Sequence, residues 1–130
     1  MLTYDEYLNH HARNVLPVEE AISIYNDMLA SFNACRVEDK DEYLESFLEK
    51  AIKYSQIRAK WELYSNEEKA EKDPNRTSTH DGVIIAANVL SRLIASDGTD
   101  AGWRERLGDN RKRVGDYACF VAYMMGVSNR

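Results

Sequence analysis

The chain predicts an all-α fold, and three observations carry that prediction. Apolar residues recur at the 3.6-residue period of a helix over four separate stretches. No stretch alternates with period two, and no Asn-Gly or Asp-Gly turn joins two β-branched runs. Glycine and proline are sparse, six and two among 130 residues, which leaves few interruptions and suits long helices. The predicted architecture is a single domain, an up-and-down bundle of four main helices plus one or two short ones.

Thr3 followed by Glu6 fits a capping box and opens a short helix that frays near His10, His11 and Asn14. Pro17 then stands at a helix start, with Glu19 and Glu20 facing the positive dipole end. From there Val18, Ala21, Ile22, Tyr25, Met28, Leu29 and Phe32 form a core stripe, the clearest periodic signal in the chain. Residues 38–41 punctuate the next start. A long helix is expected from there to about Ser65, with Leu44, Phe47, Leu48, Ala51, Tyr54, Ile57, Arg58, Trp61 and Tyr64 on a broad, aromatic face. Residues 66–75 are charged and end near Pro74, which predicts a loop or a helix end.

A further helix is predicted from Thr77–Thr79 to Ala95. Val83 to Ile94 put apolar groups almost all round it, so it should be central. Asp97-Gly98-Thr99-Asp100 breaks it before a short segment around Trp103–Leu107. Asp109 or Asn110 caps the last helix, which is apolar on nearly every side and is expected to end at Gly126. Two such apolar helices are more than a small monomer readily covers, which points to a homodimer.

The net charge is −5, unevenly spread. Residues 1–74 hold 9 basic and 16 acidic side chains; residues 75–130 hold 8 basic, seven of them Arg, against 6 acidic. An acidic chain is a poor general ligand for polyanions, so nucleic acid is not an expected partner. The two cysteines, Cys35 and Cys119, make no disulfide framework. The first residues lack the basic and apolar regions of a signal peptide, and no apolar run has the length of a membrane span. The expectation is a cytoplasmic protein with no membrane partner. Asn75-Arg76-Thr77 matches a glycosylation sequon, which means little without a secretory route.

Four clusters could carry chemistry. Asp81, Asn88 and Arg92 fall within a stripe about 40° wide on the fourth helix, with His80 and Ser91 beside it and Arg76 before it. Asp116 is the only carboxylate of the last helix. A charge on a buried helix needs a partner, and the natural pairings join Asp116 or Asp81 to Arg92, Arg76 or Arg111. A structural network is the preferred reading. The alternative is a ligand-binding pocket of Arg76, His80, Asp81, Asn88, Arg92, Arg111 and Asp116. As a second cluster, His80-Asp81 resembles the paired ligands of the HD-domain phosphohydrolases. Only His10 or His11 and Asp116 are candidates for the remaining ligands, and Gly82-Val83-Ile84 departs from that family's Gly-Lys neighbourhood. No metal site is expected.

The third cluster is Glu38, Asp39, Asp41, Glu42, Glu45 and Glu49. Glu42-x-x-Glu45 resembles half of the magnesium site of MazG-type pyrophosphohydrolases, but a second pair at matching spacing is missing. A solvated helix face is the preferred reading. In the fourth, Arg104, Arg106, Arg111, Lys112 and Arg113 offer five cations in ten residues, for a phosphate, a nucleic acid or the acidic first half. No Gly-rich phosphate loop, CxxC pair or nucleophile elbow is present.

Arg76-x-Ser78-x-His80-Asp81-x-x-Ile84-x-x-x-Asn88-x-Leu90-x-Arg92, followed by Gly108-Asp109-x-Arg111-Lys112-Arg113-Val114-Gly115-Asp116-Tyr117-Ala118-Cys119, resembles a small bacterial all-helical family of unknown function. The resemblance covers roughly the last 55 residues and implies a bacterial, cytoplasmic protein. It implies no activity, cofactor or partner. The expected function is a non-enzymatic interaction or regulatory module, homodimeric and cofactor-free, acting through protein or small-ligand contacts.

Overall fold

The computed structural model describes residues 15–128. Five α-helices and no strand are found among them: α1 Val18–Ala34, α2 Lys40–Lys60, α3 Asn66–Ala95, α4 Gly102–Leu107 and α5 Arg111–Ser128. The fold is all-α, with four long helices and one short one, as the periodicity predicts. The predicted helix near Thr3 lies outside the described residues.

Pro17 is extended (φ −63°, ψ 151°), and its carbonyl accepts from the Ala21 amide, which starts α1. The face α1 buries is Ala21, Ile24, Met28 and Phe32, so Ile24 and not Ile22 enters the core. Lys40 caps the other end: its ammonium donates to the carbonyls of Phe32 (2.8 Å) and Cys35 (3.0 Å). The Phe32 carbonyl also accepts from the Cys35 amide at 3.3 Å, and the cation suits the negative end of the helix dipole.

α2 stops at Lys60, and Trp61–Leu63 form a 3₁₀ turn. Ser65 then starts α3 through a full capping box: its hydroxyl accepts from the Glu68 amide, and the Glu68 carboxylate accepts from the Ser65 amide. This corrects the loop expected over 66–75, which is the beginning of a 30-residue helix. The capping box and two cation–aromatic contacts outweigh Pro74. Arg76 lies 4.5 Å over the Trp61 ring and Lys72 lies 5.0 Å from that of Tyr64, so the first turns of α3 are clasped to the elbow.

Contacts along the helices define their order. Arg76, His80 and Gly82 of α3 meet Trp61 just past α2 and Tyr54 and Lys50 of α2, so these two run antiparallel. Asp97 closes α3 with an Asx turn onto Thr99 and accepts from the Arg36 amide, joining the ends of α3 and α1. Gly98 has φ +88°, a left-handed turn that favours glycine. The segment through α4 carries the chain back, and α5 begins beside the middle of α3.

α5 is the centre of the molecule. Every residue from Val114 to Ala122 is buried, whereas α3 leaves Ile85 61% exposed. The central position expected of α3 therefore belongs to α5. Asn110 caps α5 through the Lys112 and Arg113 amides, as expected, but the helix continues through Gly126 to Ser128. A buried Gly126 packs inside this helix instead of ending it.

A continuous helix through 66–95 has a testable consequence. Pro74 is exposed and interior, and its ring removes the amide that would bond to the Ala70 carbonyl. Replacing Pro74→Ala should raise stability by roughly 1–3 kcal/mol in chemical denaturation. An unchanged or lower stability would mean the helix is interrupted there.

Candidate functional site

The polar residues of α3 and α5 divide into separate groups. His80, Asp81 and Arg111 come together. The Arg111 guanidinium pairs with Asp81, and the Arg111 carbonyl lies 2.8 Å from His80 Nε2. A carbonyl oxygen only accepts, so the imidazole donates from Nε2. The other face of His80 stacks on Tyr54, with ring centroids 4.8 Å apart. Gly115 makes the approach possible: a Cβ there would lie 3.0 Å from the Tyr54 hydroxyl and 3.1 Å from His80 Nε2. Burial pushes the His80 pKa below its ordinary value, more than the Arg111 carbonyl raises it, so the ring is neutral near pH 7.

Asp116 is in a second group. It is 2% exposed and accepts from the amides of Val15 (2.8 Å) and Leu16 (3.1 Å), while its other oxygen pairs with the Arg58 guanidinium. Its partner is thus none of Arg92, Arg76 or Arg111. Arg58 stands within the apolar face of α2, where a lone cation is the sequence signal for a buried acid elsewhere. Arg58 also extends toward Cys119 Sγ, at 3.8 Å. Burial pushes the Cys119 thiol up to about 11, the condition of a packing residue and not of a nucleophile.

The remaining candidates lie apart from both groups. Asn88 accepts from Arg104 Nε at 2.8 Å. Arg76 packs on Trp61 and pairs with Asp73. Arg92 is exposed. Asp81 and Asn88 therefore form a strip on which the returning segment 104–111 is fastened. The remaining cations of the Arg104–Arg113 cluster act similarly: Arg106 pairs with Asp27 and Arg113 with Glu20, both on α1. Arg113 lowers the pKa of Glu20 by hydrogen bonding. Lys112 is the exposed member whose amide, not its ammonium, is used here.

Among the described residues no group of three or more His, Cys, Asp or Glu side chains is placed to hold a metal ion. His10 and His11 lie outside the described residues. Asp41 and Glu45 of the acidic run border a cleft between α1, α2 and the end of α5. A second cleft, of about 360 Å³, lies between α2 and α3, lined by Glu42, Tyr43, Ser46, Lys50, Ile85, Ala86 and Val89. Sequence reading did not find it, because it treated Ile85 as part of a core helix.

Comparison with protein-family models, curated proteins and solved structures gives no match. No helix among the described residues is long and apolar enough to cross a membrane.

Two outcomes follow from these contacts. Asp116→Ala strands two amides and a guanidinium and should cost about 3–5 kcal/mol of stability, while Asp116→Asn keeps an acceptor for the amides and should cost less. Equal losses in urea unfolding would show that the amide contacts contribute nothing. His80 has a native pKa below its unfolded value, so the stability it contributes is present above about pH 6.5 and is lost as pH falls through the native pKa. Between pH 7 and 5 the wild type should lose more stability than His80→Gln, which keeps a donor for the Arg111 carbonyl. Parallel profiles would exclude this linkage.

Proposed function

We propose that this chain is a non-enzymatic association module, a helical bundle that acts by binding another protein chain, a second copy of itself in the first instance. The supporting observation is the use made of its polar residues. Six of the seven candidate site residues spend their side chains on contacts within the chain: Asp81 with Arg111, His80 with the Arg111 carbonyl, Asp116 with Arg58, Asn88 with Arg104 and Arg76 with Asp73. A catalytic set would leave an acid, base or nucleophile facing a cavity where a substrate could reach it. Here Asp81 with Arg111 and Asp116 with Arg58 are tied across helix boundaries, which is how a bundle secures its register.

The apolar surface left outside supports the same reading. Ile85, Ile22, Val15 and Leu63 are all more than two-fifths exposed. The two cysteines are free and buried, which suits the cytoplasm, and the bacterial setting comes with the resemblance carried by residues 76–119.

Native mass spectrometry of the purified protein tests the reading. The expected spectrum contains two-chain species without bound small molecules. A stoichiometric metal or small anion that disappears in Asp81→Asn or Arg111→Met would overturn it in favour of a ligand pocket between α3 and α5.

A further inference from the structure

The association module needs a surface, and the α2–α3 cleft has the pattern of one. On α2, Glu42, Ser46 and Lys50 follow at i, i+4 and i+8 and so share one helix face over about 12 Å. Glu42 and Lys50 are exposed, and Ser46 accepts from the Lys50 ammonium at 3.0 Å. Across the cleft, Gly82 lies level with Lys50, 3.6 Å from its side chain if a Cβ is added, which sets Ile85 beside Ser46. The middle of the cleft is therefore a small hydroxyl residue next to the exposed Ile85, with Tyr43, Ala86 and Val89 around them. Glu42 puts a negative charge at one end; Lys50 is rooted at the other, with its ammonium turned back onto Ser46.

We propose that a second copy of this chain docks on this cleft about a two-fold axis passing beside Ser46. The inference rests on the association reading above and adds the face and its symmetry. A two-fold axis lying across α2 sets that helix antiparallel to its counterpart, so Glu42 faces the partner's Lys50 and Lys50 faces the partner's Glu42. The same operation brings the two Ile85 side chains together beside the axis, where both leave water. Ser46 is small enough for the two helices to approach closely once the exposed Lys50 side chain turns its ammonium from Ser46 to the partner's Glu42. A uniformly acidic or basic partner would meet like charge at one end of the cleft; a copy of the same chain, turned end for end, meets opposite charge at both.

Charge reversal in sedimentation velocity tests the face. Glu42→Lys sets two lysines against each other twice in the dimer, and Lys50→Glu does the same with two glutamates. Each variant should dimerise at least about tenfold more weakly than wild type. An equimolar mixture of the two should recover the dimer, because every opposed pair is then of opposite sign. The double variant E42K/K50E should dimerise alone. Both positions are exposed, and an unchanged circular dichroism melt will show that the fold is kept. A wild-type dimer that persists in both single variants, or a mixture that stays monomeric, overturns this face and leaves self-association standing. A wild type that is monomeric at high micromolar concentration overturns self-association as well.

Discussion

The structure depends on a buried carboxylate. Asp116 sits on the helix that every long neighbour packs against, and it gathers donors from two other parts of the chain: the amides of Val15 and Leu16 ahead of α1, and the guanidinium of Arg58 near the end of α2. An unpartnered charge at that depth would be too costly to keep. Three donors make it tolerable, and they also fix α5 in rotation and height. Apolar packing alone would do this poorly, because a helix buried on all sides offers many faces of similar hydrophobicity. One polar residue with particular partners removes that degeneracy.

The second constraint is the connection between α3 and α5. A helix that begins beside the middle of its predecessor requires a segment that travels back along it, and that segment has only the six residues of α4 as regular structure. Side chains supply the rest. Trp103 and Leu107 are buried, Arg104 bonds to Asn88, Arg111 to Asp81, and Arg106 and Arg113 reach the acids of α1. The arginine-rich second half and the acidic first half thus meet inside one molecule. Several of these pairs are solvent-exposed and individually weak, so their main effect is to choose which way the segment lies.

These two constraints also bear on function. On the association reading proposed above, the ion pairs serve to hold the helices together and a partner meets outer surface; the α2–α3 cleft is where an exposed isoleucine, a small central residue and side chains of opposite charge coincide.

Helix content, the Asn110 cap and most of the core stripe of α1 (Ala21, Met28 and Phe32, but not Ile24) were legible in the sequence, because each depends on residues within a few positions of one another. Local signals also mislead: Pro74 and its charged neighbours read as a loop, although Ser65 and Glu68 start a helix and Trp61 and Tyr64 hold it from the other side of the elbow. Asp116 stood out as a charge on an apolar helix, and so did its need for a partner, whereas Arg58 was placed on the face of α2 with nothing to connect it to that acid. Which partner each takes depends on how α2 and α5 are turned against each other, and those positions are 58 residues apart. By itself the sequence determined that the chain is helical and where most of its helices lie, residues 66–75 excepted, and that buried charges must be paired. Only the tertiary structure decided the pairs, since pairing is a matter of distance across helices and periodicity records only the face a residue occupies on its own.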